Sequence, residues 1–305
     1  MSSDYHAKYW AAALRAQQNT SADVTTALAS ARVDLNPHQV EAAFFALRSP
    51  LSRGVVLADE VGLGKTIEAG LVLLQLWSRR CRRLLIICPA TLRRQWISEL
   101  ETKFGLPSRL VDKDSLRHGN NPFDDDSHVL ICSYHFAAEH RNRIRLISWD
   151  RVVFDEAHQL RNVWKKDNRR ARKLKEATAD APTVLLTATP LQNSLIELYG
   201  LGQFIDDRLF GDQKAFRTKY EGIGTGEHAL AELKERLKPV VNTGAVAYSK
   251  VTNCLLSRPS SVVGHRGGHA HVGDHHLRWA SVHGGAVDDG FKFGAVAARA
   301  MTSCP

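Results

Sequence analysis

Between about residue 37 and residue 240 the chain alternates short apolar runs with longer stretches in which apolar residues recur every three or four positions. The runs GVVLA (54–58), RLLIIC (83–88), HVLIC (128–132), RVVF (151–154) and TVLLTA (183–188) are too short for helices and predict buried strands. A helix is predicted from Pro37 through HQVEAAFFAL, because proline suits the first helical turn. Further helices are predicted over 65–79, 92–104 and 194–204, with helical patterns also following the runs at 128–132 and 151–154. Strands apolar on both faces and separated by amphipathic helices imply an α/β fold, a mainly parallel sheet flanked by helices.

The flanks read differently. Residues 1–32 are Ala-rich and predict an N-terminal helical extension, ahead of a main domain at 33–240. Residues 241–305 hold nine of the 21 glycines and six of the 14 histidines, without strand or helix periodicity. Such a segment buries too little apolar surface to offset its ordering entropy, so a poorly ordered tail is expected. Its His265, His269, His271, His275, His276 and Asp274 predict adventitious rather than physiological metal binding, since no cysteine stands at ligand spacing.

Composition narrows the setting. A formal net charge of +9 favours phosphate-rich partners, although ribosomal contact or an anionic membrane surface suits it equally. Five cysteines with no C-x-x-C pair give neither a disulfide framework nor a zinc knuckle. The start MSSDYHAKYW lacks a secretory pattern, and no apolar run is long enough to span a bilayer. A cytoplasmic protein with no membrane partner is expected.

Two segments carry chemistry. In LADEVGLGKTIEAG (57–70) a buried strand feeds a glycine-containing loop that opens into a helix. Gly62 and Gly64 let the backbone curl so that amide N–H groups point inward at phosphate oxygens, and the helix start at Lys65 adds its positive end. Lys65 is placed to reach the β- and γ-phosphates, and the Thr66 hydroxyl to bind Mg²⁺. Asp59 stands where the strict phosphate-loop pattern has its first glycine. In RVVFDEAHQL, Asp155 and Glu156 follow an apolar strand at the sheet edge where ligands bind. Adjacent carboxylates there divide the work: Asp155 holds Mg²⁺ and Glu156 positions or deprotonates a water.

With these segments the chain resembles the Swi/Snf-related branch of superfamily-two helicases, most closely its bacterial, RapA/HepA-like members. Five blocks carry the resemblance. LNPHQVEAAFFAL supplies Gln39 as the adenine-reading glutamine, and DEVGLGKT the phosphate loop, whose nucleotide-binding set comprises Asp59, Gly62, Leu63, Gly64, Lys65, Thr66 and Ile67. CPATLRRQW (88–96) follows the second strand, DEAH (155–158) is the magnesium and water-activating block, and LLTATPLQNS (185–194) couples nucleotide state to DNA grip. The resemblance implies a RecA-like first lobe that uses ATP and Mg²⁺ and translocates on double-stranded DNA. RNA polymerase or another protein–DNA complex is the implied target of remodelling. It implies coupling roles for His158, Thr187 and Thr189. It also implies DNA contacts at Thr91, Arg93, Arg94, Ser133 and Tyr134. Trp77, Trp96 and Trp164 read as packing residues, with base stacking also open to Trp96.

The departure from that family is the missing second lobe. No block resembling Q-x-x-G-R-x-x-R follows Pro190, and the likeness ends after LKERLKPVV (233–241). A truncated or frameshifted sequence is the expected reason, and slow turnover by this chain alone the expected consequence. Two other readings stay open: a nucleotide-binding adaptor completed by a partner's arginines, and a small-molecule P-loop kinase, against which DEAH followed by TATP argues. Basic clusters at 79–83 and 165–173 read as solvated helix faces or phosphate-contact surfaces.

Overall fold

The computed structural model describes residues 32, 36–48, 53–59, 62, 64–117, 120–190, 194–221 and 227–242. The expected helical extension, apart from Arg32, lies outside them, as do Leu63 and the histidine-rich segment. Seven strands form one sheet: β1 (Gly54–Leu57), β2 (Leu84–Cys88), β3 (Ser108–Leu110), β4 (Val129–Ser133), β5 (Arg151–Phe154), β6 (Thr183–Leu186) and β7 (Val241–Asn242). Their spatial order is β3-β4-β2-β5-β6-β1-β7, and every pairing is parallel.

All five predicted strands are present within a residue or two of the expected ends. β3 and β7 were not anticipated. β3 is a three-residue edge strand whose Arg109 pairs with Asp125 at 3.0 Å, so it shows no apolar run. β7 is two residues long and hydrogen-bonds β1 from the far end of the domain, with Val56 N donating to Val240 O at 2.7 Å. It carries the sheet two residues past the boundary expected at 240.

Nine helices are described: α1 (Pro37–Arg48), α2 (Lys65–Ser78), α3 (Arg93–Phe104), α4 (Tyr134–Glu139), α5 (Arg141–Arg145), α6 (Arg169–Ala177), α7 (Leu195–Gly202), α8 (Gln213–Tyr220) and α9 (Glu227–Leu237). Strand residues alternate between the two faces of the sheet. Val55, Leu57, Ile86, Val153 and Leu186 pack under α1, α2 and α3 on one face. Val56, Leu85, Leu130, Phe154 and Leu185 pack under α4 to α9 on the other. Burying side chains of this size contributes roughly 1.5–3 kcal/mol each. Among the described residues no helix is long and apolar enough to cross a membrane.

The register sets up the site. Leu57 pairs with Leu186 and Phe154 with Leu185, so β5, β6 and β1 end level with one another. The segments after these three neighbouring strands, DEAH, TATP and the glycine loop, therefore emerge side by side at one edge.

Candidate active site at the carboxyl edge of the sheet

The loop after β1 turns through two left-handed glycines, Gly62 at φ 87° and Gly64 at φ 92°. Gly64 has a second constraint, because a Cβ there would lie 2.3 Å from Gln39 Nε2. The buried Gln39 is held by its own helix start: its Oε1 accepts from Asn36 N at 3.2 Å, the reach-back arm of a capping box. The glutamine expected to read adenine thus packs directly on the glycine loop. Lys65 Nζ donates to the Asp59 carbonyl at 2.9 Å, bridging the loop it is meant to serve. Thr66 is half-buried beside it at the second position of α2, and Ile67 is buried.

Behind the loop, one ligand atom each from His38, Asp59 and Glu68 lies within 4.8 Å of the others. Glu68 is fully buried, and neither of its oxygens meets a hydrogen-bond donor. Burial, reinforced by the neighbouring Asp59 carboxyl, pushes Glu68 up to about 9. A carboxyl in that position keeps its proton at neutral pH and can donate it to Asp59.

Asp155 is held from three sides. Trp96 Nε1 donates to Oδ2 at 2.9 Å, Glu156 N donates to Oδ1 at 2.9 Å, and Tyr134 Oη donates to the Asp155 carbonyl at 2.8 Å. Burial pushes the Asp155 carboxyl up from the ordinary carboxylate range, against the Trp96 hydrogen bond and the nearby Lys65 charge. Glu156 has a left-handed backbone, φ 54° and ψ 47°, the conformation that costs a non-glycine residue strain. Its carboxylate lies against the neighbouring imidazole, with His158 Nδ1 3.0 Å from Glu156 Oε2.

The coupling residues fall into two separate contacts. His158 contacts Glu156, whereas Thr189 is reached by Arg161, whose Nη2 donates to Thr189 Oγ1 at 2.9 Å. Thr187, fully buried, accepts from Thr189 N at 3.2 Å. Arg161 also pairs with Glu197 at 3.0 Å in the interior. No local signal in the sequence marks Arg161, since its partner stands 36 residues away.

Of the residues expected to face DNA, Thr91 and Arg94 are exposed. Arg93 and Ser133 line one cleft of about 310 Å³ together with Lys113, His135 and three carboxylates, Asp112, Asp114 and Glu139. Ser133 also caps α4, accepting from Phe136 N at 3.2 Å. Two expectations need correction. Tyr134 is buried with its hydroxyl on Asp155, so it does not face a surface ligand. Trp96 is 1% exposed, which leaves no ring face for base stacking.

Hard oxygen donors at Thr66 and Asp155, a lysine beside them and a glycine loop at a helix start fit a nucleotide phosphate with Mg²⁺.

Comparison with known proteins agrees with this arrangement. The chain is 37% identical over 203 residues to the RNA polymerase-associated protein RapA of Erwinia tasmaniensis, a match covering 63% of this chain and 21% of the relative. It thus spans about a fifth of that relative's length. Two solved Sulfolobus solfataricus structures share the fold. The SWI2/SNF2 ATPase core in complex with dsDNA gives a TM-score of 0.60 at 24% identity, covering 70% of this chain and 45% of that one. The SWI2/SNF2 ATPase core domain gives 0.58 at 22%, covering 73% and 46%. The SNF2-related domain model matches residues 12–265, and the chain belongs to that family, with the RecA-like fold of an SNF2-type ATPase lobe.

Proposed function

We propose that this chain is the ATP-binding lobe of an ATP-dependent translocase on double-stranded DNA. The observation that carries the reading is the level ending of β1, β5 and β6, which puts the glycine loop, Asp155–Glu156 and Thr187–Thr189 beside one another. Gln39 contacts the adenine side, Gly62, Gly64 and Lys65 hold the phosphates, and Thr66 and Asp155 take Mg²⁺. When bound, Mg²⁺ neutralises charge on the phosphates. Lys65 leaves the Asp59 carbonyl for a phosphate oxygen. Glu156, held against His158, orients the attacking water and accepts its proton. Thr189, tied to Arg161, passes the state of this edge to α7 through Glu197.

Arg93, Arg94, Thr91 and Ser133 form the DNA side, contacting backbone phosphate without regard to sequence. RNA polymerase or another protein–DNA complex is the proposed target, by analogy with the name of the RapA relative. Charge on the transferring phosphate needs arginines from a facing lobe, so the lobe described here turns ATP over slowly by itself. The test is steady-state ATP hydrolysis with and without duplex DNA, for the chain and for Glu156→Gln. Slow turnover that Glu156→Gln abolishes supports the reading. Brisk DNA-stimulated turnover by the monomer refutes the need for a second lobe.

A further inference from the structure

Three separate elements meet behind the glycine loop. His38 stands in the first turn of α1, Asp59 follows β1, and Glu68 stands in the first turn of α2. One ligand atom from each lies within 4.8 Å of the other two. Glu68 is the informative member: it is 0% exposed, and neither of its oxygens meets a hydrogen-bond donor. Asp59 beside it is buried as well. Two carboxyls buried together cannot both ionise at low cost unless a positive charge shares the site. Lys65 is near enough to offset part of that charge, but the phosphate assigned to it competes for the same ammonium. Neither His38 nor Glu68 holds nucleotide in the reading above.

We propose that His38, Asp59 and Glu68 form a structural site for one divalent transition-metal ion of the zinc class, distinct from the Mg²⁺ position assigned to Thr66 and Asp155. One imidazole nitrogen and two carboxylates are donors that zinc takes at about 2.0–2.2 Å. Atoms bound to one ion at that distance stand no more than about 4 Å apart, so closure by under about one ångström completes the set. The dication balances both carboxylates and replaces the proton that Glu68 otherwise keeps. Each carboxylate can offer its second oxygen to the remaining coordination positions. Mg²⁺ suits the site poorly, because it demands octahedral oxygen ligation and sheds water reluctantly. The ion ties the starts of α1 and α2 to the segment after β1. His38 precedes Gln39, which packs on Gly64, so the same tie holds that glutamine against the glycine loop.

The test uses the full chain, stripped with EDTA and free of nucleotide, with Zn²⁺ alone as the probe, so its outcome is independent of the ATP reading. Competition against a chromogenic zinc chelator gives the number of bound ions and their affinity. The unaltered chain is expected to bind one tight Zn²⁺, which Glu68→Gln and His38→Ala bind about a hundredfold or more weakly. Glu68→Gln keeps the shape of the side chain, and far-UV circular dichroism checks that it folds. A variant with His265, His269, His271, His275 and His276 all replaced by alanine is expected to keep the tight ion. Saturating Zn²⁺ is expected to raise the thermal midpoint of the parent and of that tail variant, and to leave Glu68→Gln where it was. X-ray absorption at the zinc edge is expected to show one imidazole among oxygen donors. Equal affinity in Glu68→Gln and the parent, loss of the tight ion in the tail variant, or a spectrum of several imidazoles overturns the proposal. Absence of tight binding by the unaltered chain overturns it too.

Discussion

Arg161 and Glu197 form an ion pair at 3.0 Å inside the domain, with side chains only 6% and 9% exposed. It joins the turn after DEAH to α7, and the other arm of the guanidinium holds Thr189. Gly200 permits the approach, since a Cβ there would fall 1.7 Å from the Arg161 carbonyl oxygen. Removing one partner leaves an uncompensated buried charge, at a cost of roughly 3–5 kcal/mol. Glu197→Ala is therefore expected to lower the denaturant midpoint sharply. The double change Arg161→Met with Glu197→Leu is expected to recover most of that loss. Equal destabilisation in the single and double variants would contradict the pair's role.

Glu68 gives a pH dependence of definite sign. In the folded protein its carboxyl is pushed up to about 9, whereas in an unfolded chain it titrates near the ordinary carboxyl value of 4.5. The folded state therefore holds the proton over that interval while the unfolded state releases it, and stability falls as pH rises through it. Glu68→Gln removes this term. The variant is expected to match the parent near pH 4 and to exceed it progressively toward pH 9, by on the order of 3 kcal/mol at neutral pH. Thermal denaturation across that range checks it, and a constant difference at all pH values would count against it.

The two loop glycines should differ. Both have left-handed backbones, but a Cβ at Gly62 meets nothing within 4 Å, whereas one at Gly64 strikes Gln39. Gly62→Ala should lose about 1–2 kcal/mol of loop stability through backbone strain alone. Gly64→Ala should in addition displace Gln39 and reduce ATP affinity by about tenfold more than Gly62→Ala, measured by equilibrium binding. Similar affinities for the two variants would remove Gln39 from the site.

Much of this was legible in the sequence because the informative signals are local. The loop 57–70 and the pair Asp155–Glu156 each place chemistry directly after an apolar strand, and the parallel sheet follows from runs buried on both faces. What escaped depends on contacts between distant segments. β3 and β7 are short edge strands whose pairing partners, not their composition, make them strands. Tyr134 reads as a surface residue beside Ser133, yet the direction of its side chain is set by packing against Phe154, with ring centroids 6.2 Å apart. Arg161 is one arginine among many until α7 brings Glu197 beside it.

The edge formed by β1, β5 and β6 is proposed to bind Mg²⁺–ATP through Lys65. Equilibrium binding of Mg²⁺–ATP to the full chain, beside Lys65→Ala and Glu156→Gln, tests it most directly. Saturable binding is expected that weakens on the order of tenfold or more in Lys65→Ala, the loss of a charge-assisted contact to phosphate, and persists in Glu156→Gln. Binding of equal strength in Lys65→Ala, or none by the unaltered chain, would contradict it.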